Sequence, residues 1–261
     1  MTKKIFSMVI FGLAFMVAAT YGMPDTADVQ VSIIPNQIMI GAAYNGQKLE
    51  VTGSLPAAST AIIRVTGHTE HSKLKIKGRA LGVLWMNQGA VEISNVPNVF
   101  LLFLPEGVRS ATQMDPSSPV MPELGIESIR KQADIVSAGG DRNELFDEFV
   151  KLKQKTGLYG TVPDAIGTAL ESSTLKSFHC TVSMPAALPQ GTYKLEVFGI
   201  QNNAVVSYAA REIEAREVGM PAFISSLAFK HGTLYGVLAV LIAVIAGLGT
   251  GIMFKGGKGA H

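Results

Sequence analysis

Leu188-Pro189-Gln190-Gly191-Thr192-Tyr193-Lys194-Leu195-Glu196-Val197 is the stretch whose reading decides the fold. Pro189 and Gly191 mark a turn, because one presets φ and the other tolerates conformations closed to other residues. From Thr192 onward polar and apolar residues alternate, the two-residue period of a strand with one buried face. Tyr193 stands at the start of that strand, and a buried tyrosine needs a hydrogen-bond partner. A backbone carbonyl in the adjoining turn is therefore expected to receive its hydroxyl. Working outward, residues 178–184 alternate before this stretch. After it, Gln201-Asn202-Asn203 reads as a hairpin loop into a further strand over residues 205–213.

The same pattern fills the N-terminal half. Val29, Val31 and Ile33 alternate with polar residues, and Ile38, Met39 and Ile40 precede a turn at Asn45-Gly46. Short apolar runs follow at 49–51, 61–65, 74–76, 83–86, 91–93 and 100–104. Strands this short and evenly spaced, separated by Gly, Pro, Asn and Ser, predict an antiparallel sandwich. A parallel α/β fold would need helices between them, and no helical period precedes residue 120. Pro-x-Gly-x-Tyr followed by alternation is also how many bacterial immunoglobulin-like domains begin a late strand. The expected fold class is thus mainly β: an immunoglobulin-like antiparallel sandwich with a helical insertion, plus one C-terminal transmembrane helix.

The insertion is expected near residues 122–157. Leu124, Ile126, Ile129, Ala133 and Val136 recur at helical spacing after a proline-rich loop. A second helix opens at Asp141-Arg142-Asn143-Glu144, with Asp141 as N-cap, and carries Leu145, Phe149 and Leu152 before Gly157 ends it.

Both chain ends speak of a membrane. Residues 1–22 read as a secretory signal: Lys3 and Lys4, an apolar run from residue 5 to 18, then Val17, Ala19 and Gly22 at the cleavage positions. An uncleaved anchor is the competing reading of a run somewhat short for a span. A periplasmic sandwich ectodomain would then occupy residues 23–218. Phe223, Ile224 and Leu227 lie on one side of a segment, 219–232, that suits an interfacial helix. Residues 233–254 form the transmembrane helix, whose uncharged stretch 234–254 rises ~31 Å, the thickness of a hydrocarbon core. Lys255 and Lys258 in the tail, residues 255–261, place the C-terminus in the cytoplasm by the positive-inside rule. The resulting localisation is a bacterial inner membrane, crossed once, with the ectodomain in the periplasm. Within the span Gly236, Ala239, Ala243, Gly247 and Gly251 fall on one stripe, along which another helix can approach closely. Its expected partners are the lipid bilayer and either a membrane protein or a second copy of the chain.

A net charge of +2, from 22 basic and 20 acidic residues, gives no electrostatic reason to expect nucleic acid. Cys180 is the only cysteine, so an intramolecular disulfide is excluded; it sits in an alternating run where a thiol packs as a small apolar group. No nucleophile elbow, phosphate-binding glycine loop, haem-attachment motif or His-Glu-x-x-His occurs, which predicts no enzyme and no cofactor. The nearest approach to a ligand set is Gly67-His68-Thr69-Glu70-His71. His68, Glu70 and His71 could hold zinc or copper at an exposed turn. Met114 and Met121 could add thioether ligands for copper(I), although methionine more often fills core gaps. Lys73, Lys75, Lys77 and Arg79 share one strand face, read as a solvated edge or as a surface for anionic headgroups or an oxyanion. Trp85 reads as a core anchor.

Several stretches taken together resemble one family. They are Gly46-x-x-Leu49-x-Val51-x-Gly53, Ile62-Ile63-Arg64-Val65-Thr66-Gly67, Lys77-Gly78-Arg79-Ala80-Leu81-Gly82-Val83-Leu84-Trp85-Met86-Asn87, Val96-Pro97, and His231-Gly232-Thr233-Leu234-Tyr235-Gly236-Val237-Leu238. In this order they are similar to the Alph_Pro_TM family, bacterial transmembrane proteins known mostly from alphaproteobacteria and without an established activity. Family members more often carry Gly-Ile-Trp-Val-Asn where this chain has the longer Gly82-Val83-Leu84-Trp85-Met86-Asn87. The resemblance implies topology and little chemistry. Its members tend to be encoded beside sulfite-exporter-like permeases, which implies a transport-accessory role. The expected function is a noncatalytic, membrane-anchored accessory or interaction subunit of a membrane complex. The alternative is a periplasmic metal-handling module built on His68, Glu70 and His71.

Overall fold

The computed structural model describes residues 27–80, 84–108, 121–137 and 139–254. The expected signal sequence, Met114, and the tail lysines Lys255 and Lys258 lie outside the described residues, as do the side chains of Lys77, Arg79 and Trp85. Three short strands open the described chain: β1 (Ala27–Asp28), β2 (Val31–Ile34) and β3 (Gln37–Ile40). Then come β4 (Gln47–Pro56), β5 (Thr60–Thr66), the long hairpin of β6 (Thr69–Ala80) and β7 (Leu84–Pro97), and β8 (Phe100–Pro105). The inserted elements are α1 (Met121–Leu124), α2 (Ile126–Gln132), β9 (Asp134–Ser137) and α3 (Arg142–Lys155). The chain continues through β10 (Tyr159–Leu170), β11 (Leu175–Met184), β12 (Gly191–Gln201) and β13 (Ala204–Glu217), and ends in α4 (Met220–Lys230) and α5 (Gly232–Phe254).

The large sheet has the order β1-β13-β12-β5-β8-β10-β11-β4-β2, with β3 also on β13. Its N-terminal segment explains its shape. β1 and β3 run parallel to β13, while β2, between them in sequence, pairs antiparallel with β4 at the other edge. So short a segment reaches both edges only if the sheet curls until they nearly meet. Inside the curl lies one core, including Leu49, Val51, Ile63, Val65, Leu101, Phe103, Phe178, Cys180, Tyr193 and Leu195. The Tyr193 hydroxyl donates to the Pro189 carbonyl at 2.6 Å, the partner expected in the adjoining turn. Asn202 and Asn203 form the predicted hairpin turn with φ of 50° and 61°, the left-handed pair that suits a strand's twist.

A second core sits on the outer face of β5, β8 and β12. There Ile62, Phe100, Leu102, Leu104, Phe198 and Ile200 meet Val91, Ile93 and Val96 of β7 and Ile129, Phe146 and Phe149 of the inserted helices. Every residue of β8 is buried, because Leu101 and Phe103 face one core and Phe100, Leu102 and Leu104 the other. Tyr159 joins the layers, edge-on to Phe149 at 5.8 Å and to Phe100 at 6.0 Å.

Two details depart from the expected pattern. The sheet is not wholly antiparallel: β10 runs parallel to β8. The insertion between them is the long crossover that a parallel neighbour requires. The helix expected through Ala133 and Val136 stops at Gln132, and Asp134–Ser137 instead pairs antiparallel with β7. The open edge of the hairpin offers that segment backbone partners that a further helical turn could not satisfy along with it. By contrast α3 begins as read, with the Asp141 carboxylate accepting from the Asn143 and Glu144 amides at 2.8 and 3.2 Å.

Candidate membrane and interaction surfaces

α5 supplies the clearest surface. Its stretch Gly232–Met253 is 22 residues long, free of Asp, Glu, Lys and Arg, and none of it is buried against the rest of the protein. In water such a helix would be unstable; in lipid its backbone bonds are satisfied internally and its side chains match the solvent. Thr250, beside the last residue of the small-residue stripe, folds its hydroxyl back onto the Ala246 and Gly247 carbonyls at 3.0 Å each. Along Gly236, Ala239, Ala243, Gly247 and Gly251 the helix presents a shallow groove; a Cβ added at Gly236, Gly247 or Gly251 would meet no atom within 4 Å.

Only His231 separates α4 from α5, donating its amide to Leu227 O at 3.1 Å while its carbonyl receives the Tyr235 amide at 3.0 Å. Val218 and Gly219 connect β13 to α4, and the Val218 amide donates to the Ile40 carbonyl of β3 at 3.0 Å. Ala222, Ser225, Ser226 and Phe229 of α4 face Gln190 and Glu217 across a cleft of about 290 Å³.

The three candidate metal ligands are each engaged elsewhere. The His68 ring lies against the Asn98 carboxamide, Nδ1 to Nδ2 3.2 Å. Glu70 forms a short ion pair with Lys153 and accepts from the Ser72 hydroxyl at 2.9 Å. His71 places Nδ1 3.1 Å from Ser94 Oγ and Nε2 3.5 Å from Glu92. Glu70 and His71 are strand residues rather than loop residues, and successive strand side chains leave opposite faces. Among the described residues no three His, Cys, Asp or Glu side chains converge on one point. On the neighbouring cationic face, Lys73 pairs with Glu92 at 2.7 Å directly across the hairpin. Cys180 is buried in the inner core, where loss of solvent pushes its thiol up to about 12, with Glu50 adding to the effect.

One charged constellation was not legible in the sequence. Glu196, almost fully buried on the outer face of β12, receives Arg64 Nε at 2.9 Å, Lys194 Nζ at 2.9 Å and the Tyr208 hydroxyl at 2.8 Å. Burial pushes its carboxyl up, but the Lys194 and Arg64 cations and the Tyr208 bond outweigh that and hold it below the ordinary glutamate value. Arg64 also donates to the Glu123 carbonyl at 3.2 Å and stacks over Phe198 at 5.1 Å. Arg64, Glu123, Lys131, Lys194 and Glu196 line a polar cleft of about 460 Å³ between the sheet and α2. Each charge in it has a partner, so its evident work is to tie β5, β12 and β13 to the insertion. The signal was present but weak: Arg64 is the one charged residue of β5, and Glu196 lies in a run through Ile200 that is buried without alternation.

Residues 28–256 match the family described as Putative transmembrane protein (Alph_Pro_TM). That is the greater part of the chain, and the protein belongs to this family. No curated protein matches it.

Proposed function

We propose that this family member is a noncatalytic accessory or interaction subunit of a transport-related membrane complex. It would cross a bacterial inner membrane once, with its β ectodomain in the periplasm. The observation that carries the reading is α5, a helix that buries nothing within its own chain yet presents a groove of small residues between bulky ones. Lipid satisfies the bulky side chains. The groove suits a second helix, because in lipid association depends on close backbone packing rather than on a hydrophobic drive. The engagement of His68, Glu70 and His71 by Asn98, Lys153 and Ser94 supports a structural part for the ectodomain polar groups over a chemical one. The test is crosslinking and pull-down from native membranes, comparing the wild type with a Gly247→Leu/Gly251→Leu variant. Insertion should be unchanged, since hydrophobicity rises, and the co-purifying partner should be lost. A variant that still assembles and functions normally would reduce α5 to an anchor.

A further inference from the structure

Surface helices of water-soluble domains turn their apolar side inward. On α4 every exposed residue except Lys230 is a large apolar one. Ala222, Ser225 and Ser226 lie on the side that faces Gln190 and Glu217 of the ectodomain and are half-buried. Met220, Phe223 and Ile224, which share the other side with half-buried Leu227 at spacings of three and four residues, are 64%, 60% and 47% exposed. Phe229, 88% exposed, sits in the last turn on the cleft side, beside the start of α5, and is not part of this surface. Lys230 and His231 follow at the junction, where long polar side chains reach a headgroup layer while their stems stay in apolar surroundings. Met39, exposed at 64%, lies at the same end of the sheet, one residue before the carbonyl that binds the Val218 amide.

We infer that the Met220, Phe223 and Ile224 side of α4 is a lipid-docking surface that seats the ectodomain directly on the bilayer. The occupant follows from continuity. One residue after α4 the chain becomes α5, so the exposed side of α4 starts at the membrane surface whether or not any other protein is present. A helix in this position lies in the interface with its apolar side buried about 5–10 Å below the headgroups. The turn from β13 into α4 then fixes the ectodomain at a defined height instead of leaving it on a loose tether. The inference rests on α5 being the span.

The test uses the full-length chain, one copy per nanodisc of phosphatidylcholine and phosphatidylglycerol. Each sample carries one fluorophore-labelled cysteine: Phe223→Cys, Ile224→Cys, Ser225→Cys, Glu171→Cys or Val244→Cys. Cys180 is buried and stays unlabelled. Lipids bearing a nitroxide high on the acyl chain should quench the labels of the Phe223→Cys and Ile224→Cys variants several-fold more than those of Ser225→Cys and Glu171→Cys. A nitroxide near the chain end should quench that of Val244→Cys. Quenching of Phe223→Cys and Ile224→Cys no greater than that of Glu171→Cys, with Val244→Cys quenched, overturns the docking and leaves the span intact. No quenching of Val244→Cys removes the span, and the docking and the proposed function fall together.

Discussion

A methyl group at Gly53 would lie 2.2 Å from the Gln30 carbonyl oxygen and 2.7 Å from the Phe178 ring, one a backbone atom and the other packed in the inner core. At Gly167 it would lie 2.1 Å from His179 Cε1, but that ring is exposed and free to swing aside. Gly53→Ala should therefore lower stability by about 1–3 kcal/mol, as overpacking does, and Gly167→Ala by less than about 0.5 kcal/mol. Denaturant titration of the two variants checks this, and equal losses would show that the β2–β4 pair yields as easily as a surface ring. Glu196 gives a pH-dependent counterpart. Its folded pKa lies below the ordinary value, so its stabilising contribution is complete above the unfolded-state pKa and disappears as pH falls through the folded one. Glu196→Gln should be less stable than wild type at neutral pH and should lose less on acidification. Parallel acid limbs would assign the acid sensitivity to another group. At this scale the Tyr193 hydroxyl bond was readable because its partner, Pro189, is four residues away. The Arg64–Glu196 pair spans 132 residues, and no local pattern announces it.

Among the elements, α3 was legible from its cap and its period, and Asp141→Ala should cost about 1 kcal/mol of stability. Thermal or denaturant unfolding measures it; an unchanged midpoint would mean that packing of Phe146 and Phe149 alone sets where the helix begins. β9 was not legible, since Asp134–Ser137 carries a spacing compatible with helix and becomes a strand only because β7 offers it an edge. β10 was hidden for another reason. Gly160, Pro163, Asp164 and Gly167 break its alternation, and its pairing with β8 shifts register between Val162 and Ile166, where Asp164 adopts a φ of 52°. The strand persists because Tyr159 and Ile166 are anchored in the two cores and the Asp164 carboxylate accepts the Gly107 amide at 2.7 Å.

For the molecule as a whole, both cores close without help from α4 or α5, which contribute no buried residue to either. A fragment of residues 28–217 should therefore unfold in one cooperative transition, with circular dichroism of mixed strand and helix. A monomer that binds hydrophobic dye and melts gradually would mean that the membrane segment or a partner completes the fold. Reading along the chain was enough wherever the determinant is local. Strand alternation, the Asn202-Asn203 turn, the Asp141 cap and a helix long and apolar enough to cross a bilayer all depend on period and length within a few residues. Tertiary structure alone decided how the sheet curls through β1, β2 and β3, why β8 and β10 are parallel, and which partners take up His68, Glu70 and His71. It also decided that α4 turns Ala222, Ser225 and Ser226 toward Gln190 and Glu217. These outcomes turn on which distant edges and charges meet, and residues far apart in sequence compete for the same backbone and side-chain partners until the whole chain is packed.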